Sequence, residues 1–157
     1  AKDDGHYIGG IVSGAIASDY QKVRIDRIGA RLGVPTFSPL WHHEPGSHLR
    51  AVCDAGLDVR IIHTAADGLD ALWIGVQIDD NSLARLQEVA LTHQIRIDGE
   101  GGEFETTVLN APWMERALTL DGTTSSTSST STFESTSVTW SENAALMDSA
   151  RPSTTDY

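Results

Sequence analysis

Gly99-Glu100-Gly101-Gly102-Glu103-Phe104-Glu105-Thr106-Thr107-Val108-Leu109 is the stretch on which the reading of this 157-residue chain turns. Glycine opens positive φ and lets the backbone approach a ligand closely, so Gly101-Gly102 marks a tight bend. Beyond it Phe104, Thr106 and Val108 alternate with Glu105, Thr107 and Leu109, the pattern of a strand. Successive strand side chains point to opposite faces. Glu103 and Glu105 are therefore expected on one face, with the bend returning Glu100 to the same edge. Like charges this close are costly unless a cation or a proton donor sits among them. The turn is either a solvated acidic hairpin or a site for such a group.

Upstream, Ile95-Arg96-Ile97-Asp98 leads straight into the turn, and before it Asp80 or Asn81 should cap a helix running to about His93. Leu83, Leu86 and Ala90 share one face of that helix. Residues 57–64, rich in β-branched side chains, read as a strand. Residues 49–55 read as a short helix closed by Gly56, and 67–75 as a glycine-punctuated loop or turn of helix. Trp41-His42-His43-Glu44-Pro45-Gly46-Ser47-His48 carries metal-ligand residue types. Adjacent His42 and His43 point apart in regular structure, however, so no metal site is assigned.

At the front, residues 8–12 form a short apolar strand, and Ser18 with Gln21 makes a capping box for a helix that ends at Gly33. Residues 34–41 read as a second strand, giving one parallel, right-handed βαβ unit. One such unit does not make a doubly wound sheet, and the sequence reads as though it begins in mid-protein. Downstream, residues 117–120 form a strand. Every residue from 123 to 132 is Ser or Thr, so 122–137 is expected as a disordered loop. Val138-Thr139-Trp140 and Ala144-Ala145-Leu146-Met147 read as a closing hairpin, and 151–157 as a frayed tail.

The net charge of −11 and pI near 4.7 argue against nucleic acid or an anionic membrane as partner. Lys2 and Lys22 are the only lysines and Asp outnumbers Glu, a composition suited to a halophilic source. The lone Cys53 excludes a disulfide framework, and no apolar run nears membrane-spanning length. A cytoplasmic location follows as the expectation.

Glu-Gly-Gly-Glu-Phe-Glu-Thr followed by Val108-Leu109-Asn110-Ala111-Pro112 resembles the signature of the diphthine–ammonia ligase family. Val12-Ser13-Gly14-Ala15-Ile16-Ala17-Ser18-Asp19-Tyr20-Gln21 with Arg24 is similar to a second block of that family. Leu32-Gly33 with Pro39-Leu40-Trp41, and Gly68-Leu69-Asp70 with Trp73 and Gly75, repeat further landmarks in order. The resemblance implies ATP-dependent amidation of diphthine on elongation factor 2: adenylation of the carboxylate, then attack by ammonia. It implies an α/β fold, with residues 1–43 the last βαβ portion of a Rossmann-like (HUP-type) ATP-binding domain. Residues 44–150 would then be a smaller α+β substrate domain.

On this resemblance Gly14, Ser18, Gln21 and Arg24 are assigned to ATP, with Mg as counter-ion. Glu100, Glu103 and Glu105 are the candidate catalytic carboxylates, and Gly101, Gly102 and Thr106 the substrate contacts. The carboxylates would orient the trimethylammonium of diphthine, hold a metal bridging phosphates, or guide ammonia. Three departures stand against full activity. The family's pyrophosphate-gripping Ser-Gly-Gly-x-Asp-Ser loop is absent from these residues, Val76 stands where the family has Arg, and Ala71 where it often has an acidic residue. The alternative is a non-catalytic binding module, or half of a split ligase, that recognises elongation factor 2.

Overall fold

A computed structural model describes residues 7–143. The chain divides into two compact units, residues 1–44 and 45–157, and its architecture is mixed α/β. The expected strand at 144–147 and the tail at 151–157 lie outside the described residues.

In the first unit, β1 (Ile11–Val12) and β2 (Thr36–Phe37) pair in parallel, Ile11 with Thr36 and Val12 with Phe37. The helix between them, α1 (Asp19–Leu32), starts where the Ser18 hydroxyl accepts the Gln21 amide at 3.4 Å. It stops at Gly33, whose φ of +67° is the left-handed conformation that ends a helix. Lys22 and Asp26 form an i, i+4 ion pair at 2.7 Å along it.

The second unit is a four-stranded sheet in the order β4 (Phe104–Asn110), β3 (Asp58–Thr64), β6 (Ser131–Glu142), β5 (Arg116–Ser126), with helices on one face. Its helix α2 (Pro45–Asp54) begins four residues earlier than the sequence reading put it. Proline is at home in the first helical turn, where its missing N–H costs nothing, so Pro45-Gly46-Ser47-His48 is helix and not loop. β3 (Asp58–Thr64) is the centre of the sheet, paired antiparallel with β4 (Phe104–Asn110). Its other edge is shared. The Gly75–Ile78 segment hydrogen-bonds to Val59 and Ile61, so β6 reaches β3 only at His63 and Thr64.

Between β3 and that segment lies a 3₁₀ turn, Ala71–Trp73, and then α3 (Asp80–His93). The α3 cap is Asp79, one residue before the expected position. Its carboxylate accepts the Ser82 amide and the Ser82 hydroxyl meets the Asp79 amide, both at 2.8 Å. The core under the sheet is Leu49, Val59, Ile61, Leu69, Trp73, Ile78, Leu83, Leu86 and Phe104. Ile61, Ile78, Leu83 and Leu86 are essentially sealed from solvent, each such burial contributing about 1.5–3 kcal/mol.

The Ser/Thr-rich segment departs most from expectation. Residues 122–137, read as a disordered loop, fall instead within a hairpin of two long antiparallel strands, β5 (Arg116–Ser126) and β6 (Ser131–Glu142), and the turn between them. Lack of apolar side chains argues against a buried core but not against a ladder. Threonine is β-branched and favours strands, and backbone pairing needs no side chain. A reverse turn at 127–130 closes the hairpin, with the Thr127 hydroxyl near the Thr130 hydroxyl at 2.9 Å and accepting the Thr130 amide at 3.1 Å. Val138-Thr139-Trp140 is therefore the far half of this hairpin, facing Leu120, Thr119 and Leu118.

Candidate functional site

The carboxylate turn hangs between α3 and β4. Asp98 lies with its side chain fully covered, and Arg96 grips it with Nε to Oδ1 at 3.0 Å and Nη2 to Oδ2 at 2.6 Å. The amide of Glu100 also points to Asp98 Oδ1, at 3.3 Å. Glu103 closes the other side. Its Oε1 accepts the Arg96 amide at 3.0 Å and its Oε2 the Gly101 amide at 2.9 Å. Its backbone carbonyl accepts the Ala65 amide at 2.8 Å, tying the turn to the end of β3.

The glycines follow from this packing. Gly99 has φ of +72°, and an added Cβ would lie 3.0–3.1 Å from the Phe104 carbonyl and ring. A Cβ at Gly101 would sit 2.5 Å from Glu103 Oε1. The Glu103 carboxylate thus occupies the space that only glycine leaves open.

The sequence reading placed Glu103 and Glu105 on one strand face, and the structure corrects it. Glu103 precedes the strand and folds back over its own turn, while Glu105 is exposed and pairs across the sheet with His63. On β4, Phe104, Thr106 and Val108 line a pocket of about 280 Å³, whereas Thr107 and Leu109 line a different hollow on the opposite face. Strand alternation puts Glu105 with Thr107 and Leu109, away from the turn's pocket.

That pocket has Leu49, Val59, Ile78 and Phe104 as its apolar wall and His48, Asp98, Glu100 and Thr106 as its polar groups. Of the candidate residues, Glu100 and Thr106 line it, and Gly101 and Gly102 lie exposed on the turn beside it. The hydrogen bonds it donates to Asp98 raise the Arg96 guanidinium above its usual value, against a smaller effect of burial, and the charges of Asp98, Glu103 and Glu100 add to the rise. Arg96 is thus firmly cationic at the back of the turn, neutralising Asp98. Of the two carboxylates that line the pocket, Glu100 is the one whose side chain makes no hydrogen bond to the described residues. A mostly apolar cavity with a free carboxylate at its mouth suits a cationic group carrying apolar substituents.

Two lining residues, His48 and Asp98, were not assigned to this site by the sequence reading, which considered His48 only as a metal-ligand type. The signal for His48 was Pro45, which starts a helix and puts His48 on its inner face. For Asp98 it was Arg96-Ile97-Asp98, opposite charges two apart in front of a glycine turn.

Gly14, Ser18, Gln21 and Arg24 lie in the other unit, at the end of β1 and the first turns of α1. A methyl group at Gly14 would meet nothing within 4 Å, so packing does not demand glycine there. Ser18 uses its hydroxyl as the helix cap, and Gln21 and Arg24 are exposed. The Arg24 guanidinium sits 3.3 Å over the Tyr20 ring, a cation–π contact that holds the charge near the helix start. The helix N-terminus and the Arg24 charge favour an anion there, and Asp19 in the same first turn opposes one.

The histidine-rich segment is split by structure. Trp41 and His42 stack at 4.7 Å before α2, while His48 is within it. Among the described residues no group of three or more His, Cys, Asp or Glu side chains is arranged to hold a metal. Burial pushes the Cys53 thiol up, and it donates to the Ile78 carbonyl at 3.5 Å, the setting of an inert packing thiol. Among the described residues no helix is long and apolar enough to cross a membrane.

Comparison with known proteins agrees with the turn's signature. The family model of the diphthamide synthase C-terminal domain matches residues 44–149. A diphthine–ammonia ligase of Danio rerio is 33% identical over 118 residues, covering 74% of this chain and 46% of the relative. The Homo sapiens protein of that name is 33% identical over 113 residues, 71% of this chain and 42% of the relative. That of Saccharomyces cerevisiae is 34% identical over 117 residues, 65% and 17% respectively. The chain spans less than half the length of these relatives. Through the domain that bears the Glu100–Glu105 turn, the chain belongs to the diphthine–ammonia ligase family.

Proposed function

We propose that this chain handles the substrate end of ATP-dependent diphthine amidation on elongation factor 2. In that reaction the diphthine carboxylate attacks the α-phosphorus of ATP, releasing pyrophosphate and forming an acyl adenylate. Ammonia then attacks the acyl carbon, and AMP leaves with the C–O bond. Adenylation turns an oxide that will not leave into a phosphate that will, so the protein's task is positioning and charge neutralisation.

The observation that carries the reading is the pocket beneath the turn. An apolar wall with Glu100 at its mouth is complementary to a trimethylammonium group, which needs negative charge nearby but can donate no hydrogen bond. Gly101, Gly102 and Thr106 would frame that group. Fixing the ammonium end would set the direction in which the carboxylate projects.

We assign residues 1–43 to the last βαβ portion of a Rossmann-like nucleotide-binding domain, and 44–150 to the substrate domain. The parallel β1–β2 pair with α1 between supports the first assignment. ATP phosphate would meet the α1 N-terminal amides with Arg24, and Gly14, Ser18 and Gln21 would line its approach. The residues present fit a nucleotide better than a resident metal. Mg would arrive as the counter-ion of ATP, and no step is assigned to it. A protein with this reaction would meet its factor in the cytoplasm.

The test is the intact protein incubated with ATP, ammonium and diphthine-bearing elongation factor 2. The expected result is AMP release that depends on the factor, with conversion of carboxylate to amide seen by mass spectrometry. Factor binding without AMP release would favour the non-catalytic module instead.

A further inference from the structure

We infer that the glutamates of the turn divide their labour: Glu103 is a positioning residue spent on the turn's own backbone, and it holds Glu100 as the one carboxylate available to a ligand. This rests on reading the turn as the substrate end.

Both oxygens of Glu103 are committed, one to the Arg96 amide and one to the Gly101 amide, at 3.0 and 2.9 Å. Each oxygen keeps a second lone pair, but the two bonds pin the carboxylate to the turn's own backbone, so it cannot swing out to follow a ligand in the pocket. Its two bonds span the loop: Arg96 lies before the turn, Gly101 within it, and Glu103 at its exit. One side chain therefore staples all three points. Asp98 makes the matching staple on the inner side, receiving the Arg96 guanidinium and the Glu100 amide.

Glu100 sits between these staples. Its amide is held by Asp98 and the next residue's amide by Glu103, so its backbone is fixed on both sides while its side chain is exposed at the pocket. The geometry explains why the motif repeats glutamate at this interval around two glycines. The first supplies the free charge, Gly101 makes room for the staple, and the second closes it. Glu105, on the opposite face of β4, takes no part.

A glutamine at 103 would keep one acceptor oxygen and turn an NH₂ towards the other amide, so it would break one of the two bonds. The experiment is a double-mutant cycle in the intact protein with Glu100→Gln, Glu103→Gln and both changes, read two ways. Amide hydrogen exchange at Arg96 and Gly101 reports the staple. The KM for diphthine-bearing elongation factor 2 reports the site.

We expect Glu103→Gln to speed exchange at one or both amides by about tenfold, the equivalent of one net hydrogen bond of about 1.4 kcal/mol, with Glu100→Gln leaving exchange unchanged. We expect each variant to raise KM and the pair to raise it no further than Glu100→Gln alone, because Glu103 acts through Glu100. Unchanged exchange in Glu103→Gln overturns the staple whatever the kinetics do. KM effects that add overturn its action through Glu100. If exchange responds as expected but Glu100→Gln leaves KM unchanged, the staple stands and the substrate-end reading is what fails.

Discussion

Asn110 and Asn143 exchange their side-chain amides face to face: Asn110 Nδ2 donates to Asn143 Oδ1 at 3.2 Å and Asn143 Nδ2 to Asn110 Oδ1 at 2.9 Å. The pair closes the sheet at the end of β4 and the end of β6, elements far apart in sequence. Asn143 is almost fully buried and also reaches the carbonyls of Ala111 and Met114, at 3.1 and 2.7 Å. Asn143→Ala would strand these acceptors in a buried site. Unsatisfied buried groups cost about 1–3 kcal/mol each, so the variant should lose at least about 2 kcal/mol. Urea denaturation measures it, and a loss under about 0.5 kcal/mol would show that the clasp is ornamental to stability.

Thr64 presents the opposite case. It is sealed from solvent at the end of β3, and its hydroxyl finds no hydrogen-bond partner among the described residues. Thr64→Val keeps the branched shape that suits a strand and removes the stranded oxygen. The change should be neutral or stabilise by about 1 kcal/mol. A clear drop in melting temperature would mean that the hydroxyl is satisfied in solution.

Acid sensitivity should trace to the α3 cap. The backbone hydrogen bond from Ser82 is the main cause holding Asp79 below the usual carboxylate value. A group depressed on folding stabilises above its unfolded pKa, near 3.9, and loses that contribution as pH falls through its folded value. Stability should therefore decline below about pH 4, with Asp26, lowered by Lys22 and Thr36, declining alongside. Asp79→Asn keeps a good cap without the titration. Its melting temperature should depend less steeply on acid pH than that of the parent, and parallel curves would rule the assignment out.

The turn glycines should rank in a set order. Gly101→Ala drives a methyl into the Glu103 carboxylate and should mimic loss of the staple, raising KM with little change in global stability. Gly99→Ala collides with Phe104 in the core and must also adopt positive φ, so it should cost more stability, of order 2–3 kcal/mol. Gly102→Ala, at φ of +88° with open space around it, should cost about 1 kcal/mol from backbone strain alone. Equal destabilisation by all three in thermal melts would contradict this ordering.

Salt tests the charge distribution. With a net charge of −11, screening of self-repulsion should raise the melting temperature as KCl goes from dilute to molar. Chloride is the apt anion because sulfate stabilises most proteins by exclusion. A flat profile would show the acidity to be locally compensated, as the Arg96–Asp98 and Arg60–Asp58 pairs already are.

Local signals sufficed where one residue's chemistry settled the outcome. Ser18 and Gly33 bound α1 because a hydroxyl cap and a left-handed glycine act within a single helical turn. Residues 58–64 and the stretch from Phe104 are strands because branched and alternating side chains suit a half-buried pleat. The Glu-Gly-Gly-Glu-Phe-Glu-Thr stretch carries the family's signature in the sequence alone. What sequence could not decide was where side chains of like charge would point. Glu100, Glu103 and Glu105 look equivalent along the chain, yet one faces a pocket, one staples amides and one lies on the far face. That choice depends on the Arg96 amide, the Asp98 carboxylate and the ring of Phe104, which only folding brings to the turn. The Ser/Thr hairpin was hidden for a related reason. Its strands are held by backbone hydrogen bonds to each other and by Asn143 closing their base, and neither leaves a mark in the hydrophobic pattern of residues 116–142.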